Sequence, residues 1–156
     1  MTSGGGSGAC GGTSVPAVGR RVVLTTVSSD AHTWNLVFLA LLLEEHGHTV
    51  VNLGPCVPDE VVVQACRRIE PDVLVVSTVN GHGCIDGVRL IERIRAEIGG
   101  VPAVIGGKLT TMGESGHERT AQLLDAGFDS VFLDASDLDG LTRFLDSADA
   151  LTSVGA

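Results

Sequence analysis

Aromatic residues are almost missing from this chain. It has no tyrosine and one tryptophan, and Phe, Trp and Tyr together make up 3% of 156 residues. Any core must therefore be packed from Val, Leu, Ile and Ala, which dominate the 44% hydrophobic content. Basic residues are also few: ten Lys and Arg against nineteen Asp and Glu leave a formal net charge of −9. An acidic surface repels nucleic-acid phosphates and anionic lipid headgroups, so neither nucleic acid nor membrane is an expected partner. The four cysteines, Cys10, Cys56, Cys66 and Cys84, form no C-x-x-C pair and no zinc-like spacing. No apolar run reaches the ~18 residues of a membrane-spanning helix, and the start of the chain lacks the charged-then-apolar pattern of a secretion signal. These absences lead to the expectation of a reduced, soluble, cytoplasmic protein.

What is present alternates. Residues 1–19 are a Gly/Ser-rich leader, expected to be flexible, and residues 148–156 read as a flexible tail, leaving one domain over 20–147. Strand-like runs occupy 21–27, 49–53, 72–77, 102–106 and 130–133. Helix-like runs occupy 34–46, 58–70, 85–98, 115–126 and 137–146. In the third of these, Val88, Ile91, Ile94 and Ile98 recur at three- and four-residue steps along one helical face. Pro58 is placed to open a helix, and Gly47 and Gly127 stand where helix C-caps favour glycine.

Strands alternating with helices predict an α/β, flavodoxin-like (Rossmann-like) doubly wound, five-stranded parallel sheet flanked by helices, in the order 2-1-3-4-5. Runs such as "VLVV" and "AVI" suit strands covered on both faces. In such a sheet, ligands bind outside the carboxyl ends of the strands, where the strand order reverses. The loops that converge there read "SSDAHTW", "STVNGHGCID" and "GGKLTTMGESG". Each is longer, more polar or richer in glycine than a minimal connection.

Asp30 and His32 lie two residues apart in the first of these loops. A metal-binding imidazole normally donates its other ring N–H to a carboxylate or carbonyl, which fixes the tautomer, and Asp30 suits that role. The same pair also fits a solvated histidine beside an aspartate that caps the next helix. In the second loop, Gly81 and Gly83 flank His82, with Ser77 at the strand end; Gly106 and Gly107 end the fourth strand. Glycine at a strand end admits close approach of a ligand, or simply serves turn geometry. "GHGCIDG" does not match G-x-G-x-x-G, and no phosphate-loop lysine motif is present, so a nucleotide reading is weak.

Taken together and in order, D-x-H (Asp30, His32), then S-x-V with G-x-G (Ser77, Val79, Gly81, Gly83), then GG (Gly106, Gly107) resemble the signature of the cobalamin (B12)-binding domain family, D-x-H-x-x-G, S-x-L and GG. Within that family the chain is most similar to the small subunits of glutamate (methylaspartate) mutases, over about residues 21–145. The resemblance implies that His32 is the lower axial ligand to cobalt and that Asp30 hydrogen-bonds its far ring nitrogen. Ser77 would contact the displaced nucleotide tail, and Gly106 and Gly107 would line the slot it enters. The corrin supplies the equatorial ligands, so one protein ligand is enough. Two positions depart from the signature: Asn35 stands for its last glycine, where a left-handed backbone or a helix cap would preserve the turn, and Val79 stands for leucine.

The function this implies is the cofactor-binding subunit of an adenosylcobalamin-dependent carbon-skeleton mutase, an isomerase interconverting L-glutamate and 3-methylaspartate by radical chemistry. The subunit would be inactive alone and would form a hetero-oligomer with a large catalytic subunit of TIM-barrel type. The alternatives are a corrinoid carrier for methyl transfer, a cobalamin-responsive regulator, and a phospho-acceptor receiver domain. The last needs an aspartate at the end of strand 3, where Ser77 stands. The run "LVFLALLL" at 36–43 is apolar on nearly every side and requires either deep burial or a partner surface, and Trp34 stands beside it. Lys108 and His117 are expected to be solvated.

Overall fold

A computed structural model describes residues 19–79, 83–107, 116–132 and 139–146. The elements run β1 (Arg21–Thr25), α1 (Trp34–Glu45), β2 (Thr49–Asn52), α2 (Asp59–Ile69), β3 (Val73–Thr78), α3 (Gly83–Glu97), β4 (Ala103–Gly107), α4 (Gly116–Ala126) and β5 (Ser130–Phe132). A further helical run, α5, covers residues 139–146. The strands form one sheet in the order β2-β1-β3-β4-β5, every pair parallel. The expected strand order is therefore observed.

β3 lies at the centre of the sheet and all six of its residues are buried, which is why it reads as an unbroken apolar run ending in Ser-Thr. The sheet separates two apolar layers. On one side Val23, Leu74, Val76 and Ile105 pack with Val63 of α2, Ile91 and Ile94 of α3, and Leu123 of α4. On the other, Val22, Leu24, Val75 and Val104 pack with Leu36 and Leu43 of α1 and with Leu141 and Leu145 of α5. Both layers are aliphatic, as the scarcity of aromatics requires.

Element ends follow local chemistry. Gly47 and Gly127 have φ of +92° and +135°, so both predicted caps take the left-handed backbone that favours glycine. β1 stops two residues before the expected 27; just beyond it Thr26 donates its hydroxyl to the Gly54 carbonyl at 3.0 Å. α3 includes Gly83 and Cys84, both buried, where the sequence suggests loop. A Cβ on Gly83 would run into the Thr78 side chain, so glycine here serves helix-to-strand packing. Residues 1–18 of the leader, the tail at 148–156, Gly81, His82 and Lys108 lie outside the described residues.

Candidate functional site

The carboxyl ends of β1, β3 and β4 carry the site. Just beyond β1 the chain turns, with the Asp30 N–H donating to the Val27 carbonyl at 3.1 Å and the Asp30 carbonyl accepting the Cys56 N–H at 2.8 Å. The turn is also held from α3. Asp86 accepts the Ser29 hydroxyl, and Arg89 donates to Ser28 Oγ at 2.9 Å while paired with Asp59 at 2.6 Å and Asp86 at 3.0 Å.

The Asp30 side chain is fully buried and all its hydrogen bonds converge on the carboxylate. Oδ1 accepts the backbone N–H of His32 at 2.9 Å and meets His32 Nδ1 at 2.7 Å. Oδ2 accepts the Thr78 hydroxyl and the Val79 N–H, both at 2.8 Å. Burial pushes this carboxyl up. The N–H groups of His32 and Val79, the His32 ring and the Thr78 hydroxyl outweigh it and hold it below the usual carboxylate range. An ionised Asp30 places the imidazole proton on Nδ1, which leaves the Nε2 lone pair available. The His32 side chain is 52% exposed while its partner is 0% exposed. The geometry is that of a ligand imidazole oriented from behind by a carboxylate, not of an aspartate capping α1: the cap position is Thr33, without a side-chain bond.

Beside the pair, a cavity of about 330 Å³ opens between α1, α5 and the sheet. Its walls are almost wholly apolar, with Phe38, Val75, Val104 and Phe132 as principal surfaces. Ser77, Val79, Gly106 and Gly107 also line it. The protein itself requires glycine at 107 and packs tightly against it at 106. A Cβ at Gly106 would crowd Phe132 at 3.2 Å, and one at Gly107, whose φ is +119°, would collide with the Thr78 carbonyl.

Asn35 lines the same cavity and differs from expectation. It is neither left-handed nor a cap; it lies within the first turn of α1, since Thr33 already starts the helix. Its side chain reaches across to β3, where Nδ2 donates to Ser77 Oγ at 2.6 Å. Its Oδ1 is buried and has no hydrogen-bond partner among the described residues, a state that costs about 1–3 kcal/mol.

Thus the structure brings together Asp30, His32, Asn35, Ser77, Val79, Gly106 and Gly107. Gly83 supports the site indirectly by making room for Thr78, and Gly81 lies outside the described residues. Thr78 was not anticipated; the polar Ser-Thr ending of an otherwise apolar strand is the signal that marks it. His117 is exposed and separate.

These residues fit a corrinoid. Among the described residues no three His, Cys, Asp or Glu side chains converge to hold a metal ion. An oriented, half-exposed imidazole with one open nitrogen suits a metal whose other ligands come with it. The adjacent apolar cavity and the unpartnered Asn35 oxygen suit a group that enters beside it.

Comparison with known proteins gives the same answer. The family model described as "B12 binding domain" matches residues 20–138. The glutamate mutase sigma subunit of Halobacterium salinarum is 34% identical over 112 residues, 71% of this chain and 74% of that protein. A cobalamin-binding protein from Desulfitobacterium hafniense shares the fold with a TM-score of 0.66 at 20% identity, over 80% of this chain and 58% of that one. A LuxR-family response regulator from Aurantimonas shares it nearly as well, with a TM-score of 0.64 at 20% identity over 83% and 84%. The fold alone therefore does not separate B12 domains from receivers; the motif residues do, since β3 ends in Ser77 and Thr78 where a receiver requires aspartate. No helix among the described residues is long and apolar enough to cross a membrane. The chain belongs to the B12-binding domain family.

Proposed function

We propose that this chain is the cofactor-binding subunit of an adenosylcobalamin-dependent carbon-skeleton mutase acting between L-glutamate and 3-methylaspartate, and that it works with a separate catalytic barrel subunit. The observation that carries the proposal is the Asp30–His32 pair, a buried carboxylate with four hydrogen bonds gripping Nδ1 of an imidazole whose other edge faces outward. The similarity to glutamate mutase sigma subunits supports the substrate class, and the exposed apolar face of α1, with Trp34, Val37, Phe38 and Leu41 each more than half exposed, supports a protein partner.

Adenosylcobalamin supplies a cobalt–carbon bond that breaks homolytically, and so the radical for skeletal rearrangement. The roles of this chain are holding and shielding. His32 Nε2 would be the atom of this chain that holds the metal. Asp30 keeps the Nδ1 proton in place and makes the ring a stronger donor. The aliphatic cavity, with Ser77 at its polar end and Gly106 and Gly107 along its side, would hold the nucleotide tail and keep it dry. No residue in this set serves as acid, base or nucleophile toward a substrate, so the substrate site falls to the partner.

Electron paramagnetic resonance of bound cob(II)alamin tests this directly. Protein grown on nitrogen-15 histidine should convert the axial superhyperfine triplets to doublets, and His32→Ala should remove the protein nitrogen altogether. Triplets that persist with labelled protein, or a spectrum indifferent to His32→Ala, would sink the assignment. Turnover of glutamate only when a large subunit is added would distinguish a mutase component from a methyl carrier.

A further inference from the structure

The polar end of the cavity is built from two side chains. Asn35 is 7% exposed and Ser77 is 4% exposed, and they are joined by the Nδ2-to-Oγ bond at 2.6 Å. Because Ser77 Oγ accepts in that bond, its own O–H remains to be donated, and no acceptor for it is found among the described residues. Asn35 Oδ1 is the converse, a buried acceptor with no donor. The pair therefore presents an acceptor beside a donor at the edge of an otherwise apolar cavity lined by Val75, Val104 and Phe132.

The complement of that edge is a flat group carrying an N–H donor next to a ring-nitrogen acceptor. An aminopurine has such an edge: its amino group would donate to Asn35 Oδ1 while a ring nitrogen accepts the Ser77 hydroxyl. Dimethylbenzimidazole has flat apolar faces but no N–H, so it leaves Asn35 Oδ1 unpartnered. A ribose hydroxyl both donates and accepts through its one oxygen, but it is not the flat group that the apolar walls of Val75, Val104 and Phe132 favour.

The geometry points to Asn35 and Ser77 as a reader of the corrinoid tail that selects an adenine-type lower base over dimethylbenzimidazole. This inference rests on the proposed cobalamin-binding role and adds a preference among corrinoids. Asn35 replaces the glycine of the D-x-H-x-x-G pattern, and a glycine there has no side chain with which to read a base.

Trp34, the only tryptophan, lines the cavity and gives a built-in fluorescence probe. The full chain and its Asn35→Ala and Asn35→Gly variants are titrated with cobalamin, with the adenine-based corrinoid, and with cobinamide, which has no nucleotide tail. Wild type should bind the adenine form about tenfold more tightly than cobalamin. Both variants should lose that preference while still binding cobinamide, and far-ultraviolet circular dichroism matching that of wild type shows that they are folded. Equal affinity of wild type for the two tailed forms overturns the inference, as does tighter cobalamin binding by wild type. An equal loss of both tailed forms on Asn35→Ala places the contact on the ribose and overturns base selection. Failure of wild type to bind any of the three, cobinamide included, overturns the cobalamin reading and this inference with it.

Discussion

Asp30 is the residue on which the site depends. It is buried, charged and saturated with donors, and whichever way an amide turned in its place, the NH2 group would face a backbone N–H, that of His32 or that of Val79, which can only donate. Asp30→Asn is expected to destabilise the fold by roughly 2–4 kcal/mol in urea denaturation and to weaken cobalamin binding by about 10–100-fold. Thr78→Val keeps the side-chain shape and removes one hydroxyl donor. It should cost about 1–2 kcal/mol with a smaller loss of affinity, because Val79 still holds Oδ2. A Thr78→Val protein as weak in binding as Asp30→Asn would show that the carboxylate is not the element being oriented. How far this site is legible follows sequence distance. Asp30 and His32 interact within one turn, and their spacing displays the contact. Thr78 meets Asp30 across 48 residues and Asn35 meets Ser77 across 42. Both contacts exist only because β1 and β3 are neighbours in register, so no local pattern reveals them.

Helix α1 shows what an apolar run does and does not specify. Its hydrophobicity is spread around all sides, so periodicity assigns no buried face. The structure assigns one: Leu36 and Leu43 are buried, whereas Leu41 is 60% exposed. Leu43→Ala should therefore cost about 2–5 kcal/mol, and Leu41→Lys should stay within about 0.5 kcal/mol of wild type, both read from urea midpoints. Comparable losses at the two positions would mean that the helix is turned differently. The end of β4 gives a second case. In the sequence, Gly106 and Gly107 suit either room for a ligand or turn geometry. Gly107 has a positive φ and lies against the Thr78 carbonyl, so the glycine answers to the backbone first. Gly107→Ala should destabilise by roughly 2–4 kcal/mol. Gly100→Ala, with open space around it, should change stability by no more than about 0.5 kcal/mol.

Across the whole molecule, strand order, strand number and the gathering of the carboxyl ends of β1, β3 and β4 at one edge were legible because a parallel sheet buried on both faces imposes a coarse, repeated pattern on the sequence. The fastening of its opposite end was not. There Arg20 links three elements: its N–H donates to Nδ1 of His48 at 3.0 Å, and its Nε donates to the Leu145 carbonyl in α5 at 3.2 Å. The same helix supplies Leu141 to the cavity wall. Burial lowers the pKa of His48, Asp146 opposes that shift, and His46 and Arg20 reinforce it. Protonating Nδ1 also removes the acceptor for the Arg20 N–H. The unfolded chain binds a proton near the ordinary histidine value of 6.5, while the folded chain resists it. The contribution of His48 is therefore fully present above that value and is lost as the pH falls through it toward the lower folded value. Urea midpoints should decline from pH 7.5 to 5.5 in wild type. His48→Asn, whose Oδ1 can accept the same N–H without titrating, should decline less over that interval. Parallel slopes for the two proteins would show that this histidine does not couple protonation to the attachment of α5, and that acid sensitivity in this range arises elsewhere in the fold.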